Sequence, residues 1–176
     1  MMLFSVETFS GMIKLADDET KLRLLDLVDI NLLQAFQDAF ASALGVASIT
    51  VDDSGPVTTP SNFTDFCIKY TRGTKNGLSR CNNCDISWGK IASEKGEPVI
   101  YDCHTGLTDF AVPIMVEGKH IASILGGQIL TKEPDEEHFR AVAKQIGVDE
   151  DEYISALKKI RVVAPEYVKH AADLLF

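Results

Sequence analysis

Apolar and polar residues follow two periods along this chain. Between Asp29 and Gly45 the apolar positions Leu32, Leu33, Phe36, Phe40 and Leu44 recur every three or four residues, the spacing of an amphipathic helix. Asp29 is placed to cap its first turn and Gly45 to end it. A looser helical pattern runs from Ile13 to Leu27, and residues 1–12 carry no pattern. Val46 to Val51 is rich in β-branched residues and predicts a strand; Asp52-Asp53-Ser54-Gly55 predicts a hairpin turn, with Pro56-Val57-Thr58 starting the return strand. Two helical segments follow, 62–72 and 77–95, the second stopped at Gly96. Three strand-like runs come next: Pro98–Cys103, Leu107–Val116 and His120–Leu130, the last two joined by Glu117-Gly118-Lys119. From Pro134 the pattern is helical again, near 134–146, near 149–161 and from Pro165 onward. The acidic stretch Glu133 to Glu137 suits a helix N-terminus, where the helix dipole favours negative charge. The last helix reaches Phe176 without a stop signal, which reads as a cut from a longer protein.

This order predicts an α+β fold: a five-stranded antiparallel sheet, inserted helices over one face, and flanking N- and C-terminal helices. It is similar to the layout of PAS-like sensor domains, a hairpin, inserted helices, then a three-stranded meander. The expected division is an N-terminal extension or helix over 1–24, a sensory domain over 25–165, and a connector helix over 166–176. A concave sheet face under inserted helices is a place where small ligands bind.

Charge and hydropathy narrow the function. The chain of 176 residues carries 17 basic and 26 acidic side chains, a formal net charge of −9. Phosphate binding needs clustered Lys and Arg, so direct nucleic-acid binding by this chain is not expected. No apolar run reaches membrane-spanning length, and Met1 to Val6 lacks the basic start of a signal peptide. The expected location is the cytoplasm, where thiols stay reduced.

That setting bears on the four cysteines, all in the middle third: Cys67, Cys81, Cys84 and Cys103. Cys81 and Cys84 form a C-x-x-C pair, one turn apart on a predicted helix. Cys103 ends a strand and is followed by His104. Convergence of all four requires the inserted helices to pack over that strand end. Four thiolates can hold zinc at about 2.3 Å or an iron–sulfur cluster, and a C-x-x-C pair can work as a thiol–disulfide switch or oxidoreductase. Buried cysteines can also be plain core. Metal and thiol chemistry both remain open at this point.

The run Cys103-His104-Thr105-Gly106-Leu107-Thr108-Asp109-Phe110-Ala111-Val112-Pro113-Ile114 carries a resemblance. So do Leu125-Gly126-Gly127-Gln128 and Ser61-Asn62-Phe63-Thr64-Asp65-Phe66-Cys67. With these motifs, residues 25–165 resemble the PocR-type ligand-binding sensor domain, a PAS relative. The resemblance implies a sensory module and no enzyme activity. It implies a small organic effector, such as a short diol, and an output domain or partner protein. It also implies cysteines at the positions of Cys67, Cys81 and Cys103, which Cys84 would complete as a four-thiolate site.

Several side chains are candidates for the pocket. Phe63, Phe66, Tyr70 and Trp88 suit an apolar lid from the inserted helices. Asp109 lies within an apolar strand, where a carboxylate needs a partner. Gln128 and His104 can add polar groups. Gly126-Gly127 suggests a bulge or a close backbone approach. Apolar faces left over on the terminal helices suggest a homodimer.

Overall fold

The computed structural model describes residues 22–176. The expected helix over 13–27 therefore lies mostly outside the described residues, and its described end holds a single 3-10 turn, Leu24–Asp26. Helix α1 spans Ile30–Leu44. Asp29 accepts hydrogen bonds from the Asn31 and Leu32 amides, and Gly45 closes the helix in the left-handed region. The strands are β1 (Ala47–Asp52), β2 (Gly55–Pro56), β3 (Val99–Asp102), β4 (Thr108–Val116) and β5 (Lys119–Ile129). They form one antiparallel sheet in the order β2-β1-β5-β4-β3. Between β2 and β3 lie a π-helix at Phe66–Thr71 and the long helix α2, Lys75–Lys95. Helices α3 (Glu136–Ile146), α4 (Glu150–Leu157) and α5 (Pro165–Leu175) follow the sheet.

Alternation along the strands divides the side chains between two faces. On one face Ile49, Val51, Val99, Tyr101, Ala111 and Leu125 pack with Ala92 of α2. On the other, Phe110, Val112 and Ile129 pack against Phe40 of α1 and Val168, Ala171 and Ala172 of α5. A third cluster joins the π-helix to α3 and α4 through Phe66, Phe139, Val142, Tyr153 and Leu157.

The expected helix over 62–72 narrows to the π-helix, a form that often marks functional sites. Among the described residues no helix is long and apolar enough to cross a membrane.

Candidate functional site: a cavity between the inserted helices and the sheet

The site begins with an irregularity in the β4–β5 ladder. Thr108 pairs with Ile129, but Phe110 pairs with Gly126, so Gly127 and Gln128 together face Asp109. This bulge needs Gly127: its φ is +136°, and a Cβ there would sit 2.4 Å from Asp109 Oδ1 and 2.6 Å from the Thr108 carbonyl oxygen. Gln128 takes a left-handed backbone, φ +56°, rare outside glycine. Its amide N–H is thereby aimed at Asp109 Oδ1, 2.6 Å away. Its side-chain Oε1 accepts from the Thr64 amide at 2.9 Å and the Thr64 hydroxyl at 3.0 Å. One glutamine thus ties the sheet bulge to the segment entering the π-helix. Gly126 meets its own constraint, because a Cβ there would lie 2.3 Å from the Phe110 ring.

Two small cavities flank Asp109. The first, about 30 Å³, is walled by Phe63, Tyr101, Ile49 and Leu125, with Arg72, Asp85, Asp109 and Gln128 as its polar groups. The second, about 20 Å³, is bordered by all four cysteines and His104, and shares those same four polar residues with the first. Each has room for about one or two waters. Arg72 follows the π-helix and reaches Asp85 of α2 at 2.7 Å, both side chains largely buried. Arg72 also donates to Asn82 at 3.4 Å and lies over the Phe63 ring, 5.3 Å from its centre. Its Nε is buried without a partner among the described residues.

Electrostatics follow from enclosure. Burial raises the Asp109 carboxyl from 3.8 to about 7, against the Gln128 N–H, which lowers it. Burial likewise raises Asp85, partly offset by Arg72. Burial pushes the Cys81 thiol up to about 12 and Cys84 to about 11, and raises Cys67 and Cys103 well above the ordinary thiol range. His104 is pushed down to about 4, chiefly by burial and then by the nearby arginines Arg80 and Arg72.

The structure therefore brings the four cysteines to one cavity from three elements. Cys81 Sγ lies 3.1 Å from His104 Nε2, and Cys103 Sγ lies 3.1 Å from the Thr105 hydroxyl. His104 Nδ1 is buried without a partner among the described residues. Yet among these residues no three His, Cys, Asp or Glu side chains are grouped so as to hold a metal ion. Neutral thiols dispersed around a small cavity are also the reverse of an activated thiolate. The C-x-x-C pair sits in the interior of α2, between Lys75 and Lys95, and not at a helix start.

Of the other candidate residues, Phe63, Asp109, Gln128 and His104 line these cavities. Phe66 and Tyr70 pack instead against Tyr153, with ring centres 4.2 and 6.4 Å away. Trp88 stacks on Tyr101 at 4.4 Å and supports the wall from behind. Sequence reasoning missed Arg72, Asp85, Tyr101 and Thr64. A signal for one of them was present: Asp85 directly follows Cys84. An outer cleft of about 380 Å³ lies beyond the turn after β3, lined by Asp102, Cys103, His104, Lys132, His138 and Phe139. His138 closes part of its floor by hydrogen bonding the Thr105 carbonyl at 3.1 Å.

A family model described as the sensory domain found in PocR matches residues 26–176. The chain belongs to the PocR sensory-domain family. The regulatory protein PocR of Salmonella typhimurium is 35% identical over 99 residues, covering 56% of this chain and 32% of that relative. The chain thus spans about a third of the curated relative's length. No solved structure matches. Within the PocR domain, the β4–β5 bulge, the Arg72–Asp85 pair and the cysteine cavity all lie inside the matched region.

Proposed function

We propose that this domain senses a small hydroxylated organic molecule in the cavity beside Asp109 and passes its state to an output domain or partner protein. The observation that supports this reading most is an unpartnered guanidinium nitrogen and a carboxyl group outside any ion pair, both beside the same apolar wall. Among the described residues, Arg72 Nε has no partner and Asp109 has no cation of its own. A buried polar group is costly when unpaired; a ligand oxygen would satisfy Arg72 Nε, and a ligand hydroxyl would add a donor to Asp109. The cavity of about 30 Å³ is smaller than such a ligand, so binding would displace Phe63 or the segment held by Gln128. That displacement gives the two states differential affinity, which a sensor requires.

A path toward the chain ends starts two residues past Gln128. The Leu130 amide donates to the Arg161 carbonyl and the Val163 amide to the Leu130 carbonyl, both at 2.8 Å. Arg161 donates to the Leu44 and Gly45 carbonyls at 2.9 and 3.0 Å, and the Tyr167 hydroxyl to Leu44. The end of β5, the end of α1 and the start of α5 are therefore one hydrogen-bonded junction. Leu32 and Phe36 on α1 and Leu174 and Phe176 at the far end leave apolar surface exposed, which suits a second copy of the chain.

The test is an NMR titration of the ¹⁵N-labelled domain with 1,2-propanediol. Shifts concentrated at 63–72, 101–109 and 125–128 support the reading. Shifts confined to the outer cleft, or none at millimolar concentrations of either this diol or ethanolamine, reject it.

A further inference from the structure

We infer that the cavity is matched to a short amino alcohol, a cation whose ammonium group meets Asp109 and whose hydroxyl oxygen meets Arg72 Nε. The inference rests on the cavity being the sensory site, as proposed above, and concerns the charge of its occupant.

Three charged side chains border both small cavities: Arg72, Asp85 and Asp109. Arg72 is committed to Asp85 by the 2.7 Å ion pair. Asp109 receives only neutral donors, the Gln128 amide at 2.6 Å and the Cys103 thiol. The other titratable groups around it bring no positive charge. Tyr101 and Cys103 come from β3 and the turn after it, Cys67 from the π-helix, and Cys81 and Cys84 from α2. Burial holds all of these in their neutral forms. His104, depressed to about 4, is uncharged at neutral pH.

The enclosure therefore holds one more carboxyl group than guanidinium. Enclosed charge is tolerated when paired and hydrogen-bonded. A carboxylate ligand would add a second unpaired negative charge. A neutral diol would leave Asp109 to take up a proton. An ammonium group supplies the missing positive charge and N–H donors together. The unpartnered Arg72 Nε calls for an acceptor on the same small molecule, and a hydroxyl oxygen provides one without adding charge.

Three probes of similar size and different charge test this by isothermal titration: ethanolamine, 1,2-propanediol and lactate, at pH 6 and pH 8. The expected result at pH 8 is ethanolamine binding at least tenfold more tightly than 1,2-propanediol, with lactate weakest. The preference should shrink at pH 6, as Asp109 takes up a proton. Asp109→Asn should remove the preference for ethanolamine while retaining the diol. Equal or tighter diol binding by the unaltered domain, or tightest binding of lactate, overturns the charge inference and leaves the cavity as the site. Failure of all three probes overturns both. Should Asp109→Asn not fold, the pH series on the unaltered domain decides.

Discussion

Replacing Asp109 by Asn removes a titrating group and little else. The amide oxygen can still accept from the Gln128 N–H now held at 2.6 Å, and the side-chain volume is nearly unchanged. Enclosure raises the native carboxyl from 3.8 to about 7. A carboxyl group raised in this way favours the folded state while protonated, and that contribution is fully present below the unfolded value. It is lost as pH rises through the folded value, so the loss falls between about pH 4 and pH 7. A tenfold change in proton affinity corresponds to about 1.4 kcal/mol, which puts the whole difference at roughly 4 kcal/mol as an upper figure. The two proteins should thus have similar stability at pH 4. At pH 8 the Asn variant should be the more stable by a few kcal/mol. Urea unfolding followed by circular dichroism at half-unit steps from pH 4 to pH 8 measures the difference directly, because all other titrating groups are common to both. A difference that stays constant across that range would refute the assignment of a desolvated carboxyl without an ion pair at this position.

Four further outcomes are expected. Arg72→Met breaks a buried ion pair and leaves Asp85 enclosed alone, a loss of about 3–5 kcal/mol in urea unfolding, and an Asp85→Asn partner change should recover part of it. Gly126→Ala drives a methyl group into the Phe110 ring and should cost about 1–3 kcal/mol, with Phe110→Leu in the same chain relieving the clash. In the folded domain the four thiols should react slowly with a disulfide reagent at pH 7.5 and all four promptly in denaturant; a rapidly reacting native thiol would contradict the raised thiol values. We propose a homodimer through α1 and the chain end, so light scattering should give twice the chain mass, falling to one chain with Leu32→Asp and Phe36→Asp together.

Local periodicity was sufficient for most of the architecture. The helix from Asp29 to Gly45, the hairpin at Asp52–Gly55 and the three-strand meander were legible because each depends on neighbours within a few residues: a capping carboxylate, a left-handed glycine, alternation on a pleat. The motif from Cys103 to Ile114 and the Leu125–Gln128 strand end also carried the family, which the match over 26–176 bears out.

The charged centre of the site was not legible, for a physical reason. Arg72 and Asp85 are thirteen positions apart and meet only because the π-helix and α2 fold back over the sheet. Nothing in the spacing showed that one guanidinium would serve one carboxylate and leave Asp109 unserved. The aromatic residues divided for a similar reason. Phe63 faces the cavity, whereas Phe66, three positions on, turns toward Tyr153 in the α3–α4 cluster. Sequence also drew the four cysteines together as metal ligands. Tertiary packing gathers them around one small space, which they share with Arg72, Asp85, Asp109 and Gln128, and burial there keeps each thiol neutral. Residue pattern alone was enough for the elements, their order and the family. Only the three-dimensional packing decided which charges are paired, because pairing and desolvation depend on neighbours distant along the chain.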